Sequence, residues 1–222
     1  MTKVSLVTLF AAALLAAFGP NVALAQSSGS FNYSADTTAC TNIGGLLGRS
    51  SPQTSLKTTM KVSSGNGVAL VVRPSAVVGL LTDVSLSGKF GSLITSGNAQ
   101  ETVQFAVTVT PLSGQAVPTV TPGAPVTFDD RFIQISTNLF GLLTACTDLT
   151  PCTFDFNETT LSAHSFDFVV TGLSAGNYGI TVAWTASSNG TAAPNSALAC
   201  VGPVVLTATQ TKIFNQNTGI SF

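Results

Sequence analysis

The chain has 222 residues, with 8 Lys or Arg, 9 Asp or Glu, one His and a formal net charge of −1. Charged residues make up 8% of it, against about 25% in an ordinary soluble domain. That excludes the clustered cations a nucleic-acid partner needs. Disorder is excluded as well, because disordered chains combine low hydrophobicity with high net charge, and here 45% of the residues are hydrophobic.

Lys3 precedes an apolar run from Val4 to Phe18, which Gly19 and Pro20 break. Ala23-Leu24-Ala25 then gives the small-x-small pattern of a signal-peptidase site. The run is too short for a spanning helix, which needs roughly 20 apolar residues. The sequence therefore predicts a signal peptide over 1–25 and a mature start at Gln26. It predicts a single β domain over 26–222, secreted to the extracellular space or periplasm, with no integral membrane segment after cleavage.

Helical periodicity is nearly absent beyond this point, and period-2 alternation is common. Leu56, Thr58, Met60 and Val62 share one face of a strand, with Lys57, Thr59 and Lys61 opposite. Ser64-Gly65-Asn66-Gly67 reads as a turn. Val68–Val72 is continuously apolar, as in a strand covered on both faces, and Arg73-Pro74 should interrupt it. Val77–Leu81 and Val84–Leu86 suggest another strand kinked at Asp83.

Val103, Phe105, Val107 and Val109 alternate with polar or small residues, a clear strand. The proline-rich stretch 111–125 reads as a long irregular loop. Val126 and Phe128 have one parity, and Ile133 and Ile135 the other, which implies a bulge or turn near Asp129 and Asp130. Residues 138–145 suggest a short helical turn. Phe166, Phe168 and Val170 point one way, as do Tyr178, Ile180, Val182 and Trp184. Val204–Phe214 is the last strong strand. About eight to ten strands without a long helix predict an all-β antiparallel sandwich of Greek-key, immunoglobulin-like or jelly-roll-like type.

Cys40, Cys146, Cys152 and Cys200 are the four cysteines. An even count in an oxidising compartment predicts disulfides. Cys146 and Cys152 bracket a short turn, which favours Cys146–Cys152 as a loop staple. Cys40–Cys200 then ties the first strand region to the last. A zinc site lacks the short Cys-x-x-Cys pairs.

The stretch Leu173-x-x-Gly176-x-Tyr178-x-Ile180-x-Val182 resembles the corner that leads into a late strand of immunoglobulin-like and other Greek-key sandwiches. The resemblance implies that Tyr178 bonds back to the turn before it. It implies an architecture and no activity.

His164 is the sole candidate for Ser/His/Asp chemistry, and no Gly-x-Ser-x-Gly elbow accompanies it. The remaining acidic residues, Glu101 among them, are scattered singly and are expected to face solvent. Asp129-Asp130-Arg131 is the one charge cluster. Asp129 and Asp130 are the only metal candidates, but the spacing lacks the pattern of a calcium loop. A bulge carrying a local carboxylate–Arg pair is the favoured reading. No catalytic residue, cofactor or metal is expected. Trp184 shares its parity with core residues, so a sugar platform would have to come from Phe90, Phe132 or Phe140. Asn32, Asn157 and Asn189 head glycosylation triplets. The resulting expectation is a non-enzymatic structural, adhesive or interaction module, open to self-association or to a surface or matrix partner. A carbohydrate- or other ligand-binding module is the alternative, and a secreted hydrolase the third.

Overall fold

A computed structural model describes residues 30–42, 49–50, 54–63, 67–88, 97–135, 152–190 and 196–212. Twelve strands run through them: β1 (Phe31–Asp36), β2 (Ala39–Asn42), β3 (Arg49–Ser50), β4 (Thr54–Val62), β5 (Val68–Gly88) and β6 (Gly97–Pro111). β7 (Thr119–Thr121), β8 (Val126–Ile135), β9 (Cys152–Ser165), β10 (Phe168–Thr171), β11 (Gly176–Gly190) and β12 (Ser196–Lys212) complete the set. No helix among the described residues is long and apolar enough to cross a membrane.

The strands form two antiparallel sheets. Sheet A has the order β1-β12-β5-β10-β7, with β2 also on β12 and β9 also on β5. Sheet B has the order β3-β11-β6-β8, with β4 also on β11. In three places two consecutive strands share one edge of a longer strand: β1 and β2, β3 and β4, β9 and β10. Counted as single positions, they give sheets ordered 1-8-3-6 and 2-7-4-5, with β7 added at the rim of sheet A. That is the double Greek key of a jelly roll. The tandem pairs are why the strands outnumber the sequence-based count.

Sheet A tolerates its irregularities by placing them where a neighbour changes. β5 runs unbroken through Arg73-Pro74, where the sequence predicts an interruption. Residues 70–72 pair with β10 and residues 75–88 pair with β9. Pro74, which cannot donate to a ladder, therefore stands at the joint between two partners. Arg73 and Asp167 meet on the surface there at 2.5 Å. Both are about half exposed, so the pair contributes little to stability. The same device recurs on β12, whose register on β5 shifts between Val201 and Val204. The shift lies opposite Thr37-Thr38, where β1 gives way to β2.

In β4, β6, β10, β11 and most of β5 and β12, one parity is buried between the sheets. Leu70, Val72, Val78, Leu80, Leu206 and Phe168 from sheet A meet Phe105, Tyr178, Ile180 and Val182 from sheet B. Phe105 stacks on Phe128 at 4.1 Å and on Trp184 at 5.5 Å between ring centroids. Trp184 is thus a core residue, as its parity requires. Phe166 is not: it is 39% exposed. It lies in the break between β9 and β10, where period-2 counting stops, and touches Phe168 edge-on. The loop after β6 also holds more order than its prolines suggest, since β7 pairs with β10.

The corner before β11 is as the resemblance implies. The Tyr178 hydroxyl donates to the Ser174 carbonyl at 3.1 Å and accepts from the Ser174 N–H at 3.0 Å. Gly172 supplies the positive φ of 73° that the turn needs.

Cys40 and Cys200 form a disulfide across directly opposed positions of β2 and β12. Next to it, Gly202 has φ of 128°, and a methyl group there would lie 2.6 Å from the Thr38 Cα. Only glycine fits this crossing. Cys146 lies outside the described residues, as do residues 138–145 and residues 1–25, so the second disulfide, the helical turn and the leader are not described.

Two stability outcomes follow. Trp184→Ala should cost about 3–5 kcal/mol in reversible urea unfolding, and a loss under about 1 kcal/mol would place the indole outside the core. Gly202→Ala should cost more than Gly114→Ala. Gly114 has φ of 71° with nothing within 4 Å of the added methyl, so only the backbone penalty of about 1–2 kcal/mol applies. Equal losses would show that the Thr38 contact is not limiting.

Candidate functional site

The ladder between β6 and β8 shifts register between Val103 and Gln104, which leaves Phe128 as an extra residue in β8. This is the bulge that the parity switch predicts, and the strand continues through it without a turn. A bulge re-aims the side chains beyond it. Phe128 enters the core, and the next three residues diverge. Asp129 leans towards β9, Asp130 faces outward, and Arg131 turns inward and is buried. The expected local pair between an Asp and Arg131 does not form. The Asp129 carboxylate faces Ser162 on β9 and the Asp130 carboxylate faces Gln100 and Thr102 on β6, and among the described residues no group of three or more His, Cys, Asp or Glu could hold a metal ion.

Among the described residues β8 and β9 each pair on one side only, and Arg131 reaches from the first to the second. Its Nη1 donates to the Glu158 carbonyl on β9 at 2.7 Å and to the Thr82 hydroxyl on β5 at 3.4 Å. Its Nη2 donates to the Thr160 hydroxyl. Glu101, directly opposite Arg131 on β6, is 1% exposed. The expectation that lone acidic residues face solvent fails here. Residue 101 shares the parity of Val103 and Phe105, so the pleat carries it inward.

Neither Glu101 oxygen, nor Arg131 Nε, nor the Ser188 hydroxyl has a hydrogen-bond partner of good geometry among the described residues. Burial pushes the Glu101 carboxyl from its ordinary 4.5 up to about 7, and the Thr82 hydroxyl and Arg131 charge only partly oppose this. Burial dominates because moving a carboxylate out of water costs more than these two interactions return.

Ser162 and His164 lie two residues apart on the inward side of β9. Ser162 Oγ is 2.6 Å from His164 Nε2 and 3.3 Å from Asp129 Oδ2. The Phe128 ring stands edge-on to the imidazole. These three residues meet in space, which their sequence positions do not suggest. The order is wrong for a catalytic triad, however. The serine sits between acid and imidazole, whereas a triad needs the carboxylate to orient the imidazole.

The outer face of sheet B is a different surface. From β6 it presents Gln100, Thr102, Gln104, Thr108 and Thr110, and from β11 Thr181, Thr185, Ser187 and Asn189. Asp130 accepts hydrogen bonds from Gln100 Nε2 at 3.0 and 3.1 Å and from Thr102 Oγ1 at 3.0 Å. Phe132 stands beside Gln100 and is 58% exposed. Phe90 and Phe140 lie outside the described residues. Of the glycosylation triplets, Asn157 and Asn189 are exposed, whereas the Asn32 amide donates to the Thr59 carbonyl at 2.5 Å and tethers β1 to β4.

No family model and no curated protein matches the chain. Solved structures give faint likenesses. Latent dimeric PorU from Porphyromonas gingivalis aligns over 83% of this chain and 13% of its own, at 11% identity and a TM-score of 0.27. The VP2 subviral particle of infectious bursal disease virus aligns over 85% of this chain and 42% of its own, at 10% identity and a TM-score of 0.16. This chain thus spans about an eighth of PorU, and likenesses this faint carry no argument.

The Glu101 carboxyl sets a pH dependence of stability. Folding raises its affinity for a proton, so its burial is tolerated fully below pH about 4.5 and the stability is lost as pH rises through about 7. The loss should amount to roughly 3 kcal/mol between acid and mildly alkaline solution. Glu101→Gln should flatten the difference between urea unfolding at about pH 5 and about pH 8. A variant that keeps the wild-type slope would assign the dependence to another group.

Proposed function

We propose that this protein is an extracellular, non-enzymatic interaction module that works through the face of a sheet. The observation that carries this reading is the outer surface of β6, β8 and β11. It is a regular field of hydroxyl and amide side chains, oriented by strand pairing, with an exposed aromatic ring at its edge. The polar groups that could do chemistry lie instead in the seam between sheets. There Arg131 bonds to β9, and Ser162 lies between Asp129 and His164. The Cys40–Cys200 disulfide suits an oxidising compartment, and the apolar segment with its Ala23-x-Ala25 site supplies the route there. A low share of charged residues, 8% of the chain, favours close approach to other neutral surfaces, in a structural or adhesive setting.

The test pairs a hydrolase screen with His164→Ala. The expected outcome is no turnover of ester, peptide or glycoside substrates by either protein. Turnover that disappears in His164→Ala would make the Ser162–His164 pair catalytic and overturn the reading.

A further inference from the structure

We infer that the β8 end of the outer face of sheet B is a binding site for a neutral polysaccharide, centred on Phe132. The inference rests on the reading of the protein as an interaction module and names its ligand class. Strand pairing sets two rows side by side: Asn189, Gln100 and Phe132 in one, Thr102 and Asp130 in the next. With strands about 4.8 Å apart and same-face residues about 6.7 Å apart along them, the patch covers roughly 10 by 13 Å when Gln134 is included. That is room for two or three pyranose rings.

The chemistry of the patch matches a sugar and little else. A pyranose has an apolar C–H face and a rim of hydroxyls that both donate and accept. Phe132 offers the aromatic face for the first. Gln100, Gln134 and Asn189 offer amides, which donate and accept in turn. Asp130 is held in place by Gln100 and Thr102. A carboxylate has about four acceptor sites, so it retains capacity for hydroxyl donors. No Lys or Arg stands in these rows, so a phosphate, sulfate or uronate polymer finds no counter-charge. A protein partner would look for a desolvated apolar centre, and one ring amid amides does not supply it. Specificity comes from the bulge at Phe128, which sets Asp130 and Phe132 on the outer face.

The probes are crystalline cellulose, chitin, β-1,3-glucan, starch and mannan, with heparin as an anionic control, tested by pull-down and affinity electrophoresis with the intact mature protein. Saturable binding to at least one neutral polymer is expected, unchanged between low and high salt. Phe132→Ala should weaken it about tenfold or more, the usual cost of removing an aromatic anchor, and Phe132→Tyr should restore it. Because the ring is solvent-exposed, its unfolding midpoint should stay at the wild-type value, which separates lost binding from lost folding. Failure with every neutral probe overturns the site, as does binding that Phe132→Ala leaves intact or a salt-sensitive preference for heparin. Those failures leave the module reading standing if the hydrolase screen is also blank, whereas turnover sinks the module reading by itself.

Discussion

The continuous antiparallel ladder between β6 and β11 is the constraint on which both faces of sheet B depend. It runs from the Tyr178–Pro111 pair to the Gly190–Ala99 pair without a break in register. Since side chains alternate strictly along a strand, every inward position on these two strands is committed together. Over most of the length those positions hold Val, Ile, Phe, Tyr and Trp, and the interior there is apolar. At the Gly190–Ala99 end they hold Ala99, Glu101 and Ser188, so the same ladder delivers polar groups to the interior. The outward positions are fixed by the same count.

The bulge at Phe128 adds the second half of the design. Without the extra residue, Arg131 would face water and Asp130 the interior. With it, a guanidinium enters beside Glu101 and bridges two sheet edges. Burying charged groups rarely stabilises a fold relative to apolar packing, and the orphaned oxygens of Glu101 make this placement costly. What it supplies is closure. Among the described residues β9 is a long strand paired on one side only, and such an edge invites pairing with other chains. The Arg131 bond to the Glu158 carbonyl occupies part of that edge with a charged side chain from the opposite sheet.

Much of this was legible in the sequence. The runs 103–109 and 178–184 give the core, the parity switch after Phe128 gives the bulge, and the tyrosine corner is readable from Gly176 and Tyr178. Glu101 was misread: its parity matches Val103, but a lone carboxylate on a strand is ordinarily exposed. Pro74 misleads for a non-local reason: its missing donor is harmless only because β9 ends and β10 begins beside it. The rest of the seam could not be read. Thr82, Thr160, Ser162 and Ser188 are inward hydroxyls in a chain full of Ser and Thr, and nothing local marks which of them meet across the sheets. The outer face is similar: its residues are ordinary one by one and distinctive only as rows.

The Cys40–Cys200 bond has a mechanical consequence. β1 and β12 are antiparallel neighbours, with Phe31 beside Thr209 and Asp36 beside Val204. Tension applied at Phe31 and Lys212 would load this ladder as a zipper, one rung at a time, which is the weakest direction for a sheet. The tear would travel only as far as the sulfur bridge, whose two ends are 160 residues apart in sequence. Everything enclosed by that bridge, including β6, β8 and β11, is bypassed by the force. A chain anchored or tugged at its ends would therefore keep its outer face of hydroxyls and amides undistorted under load.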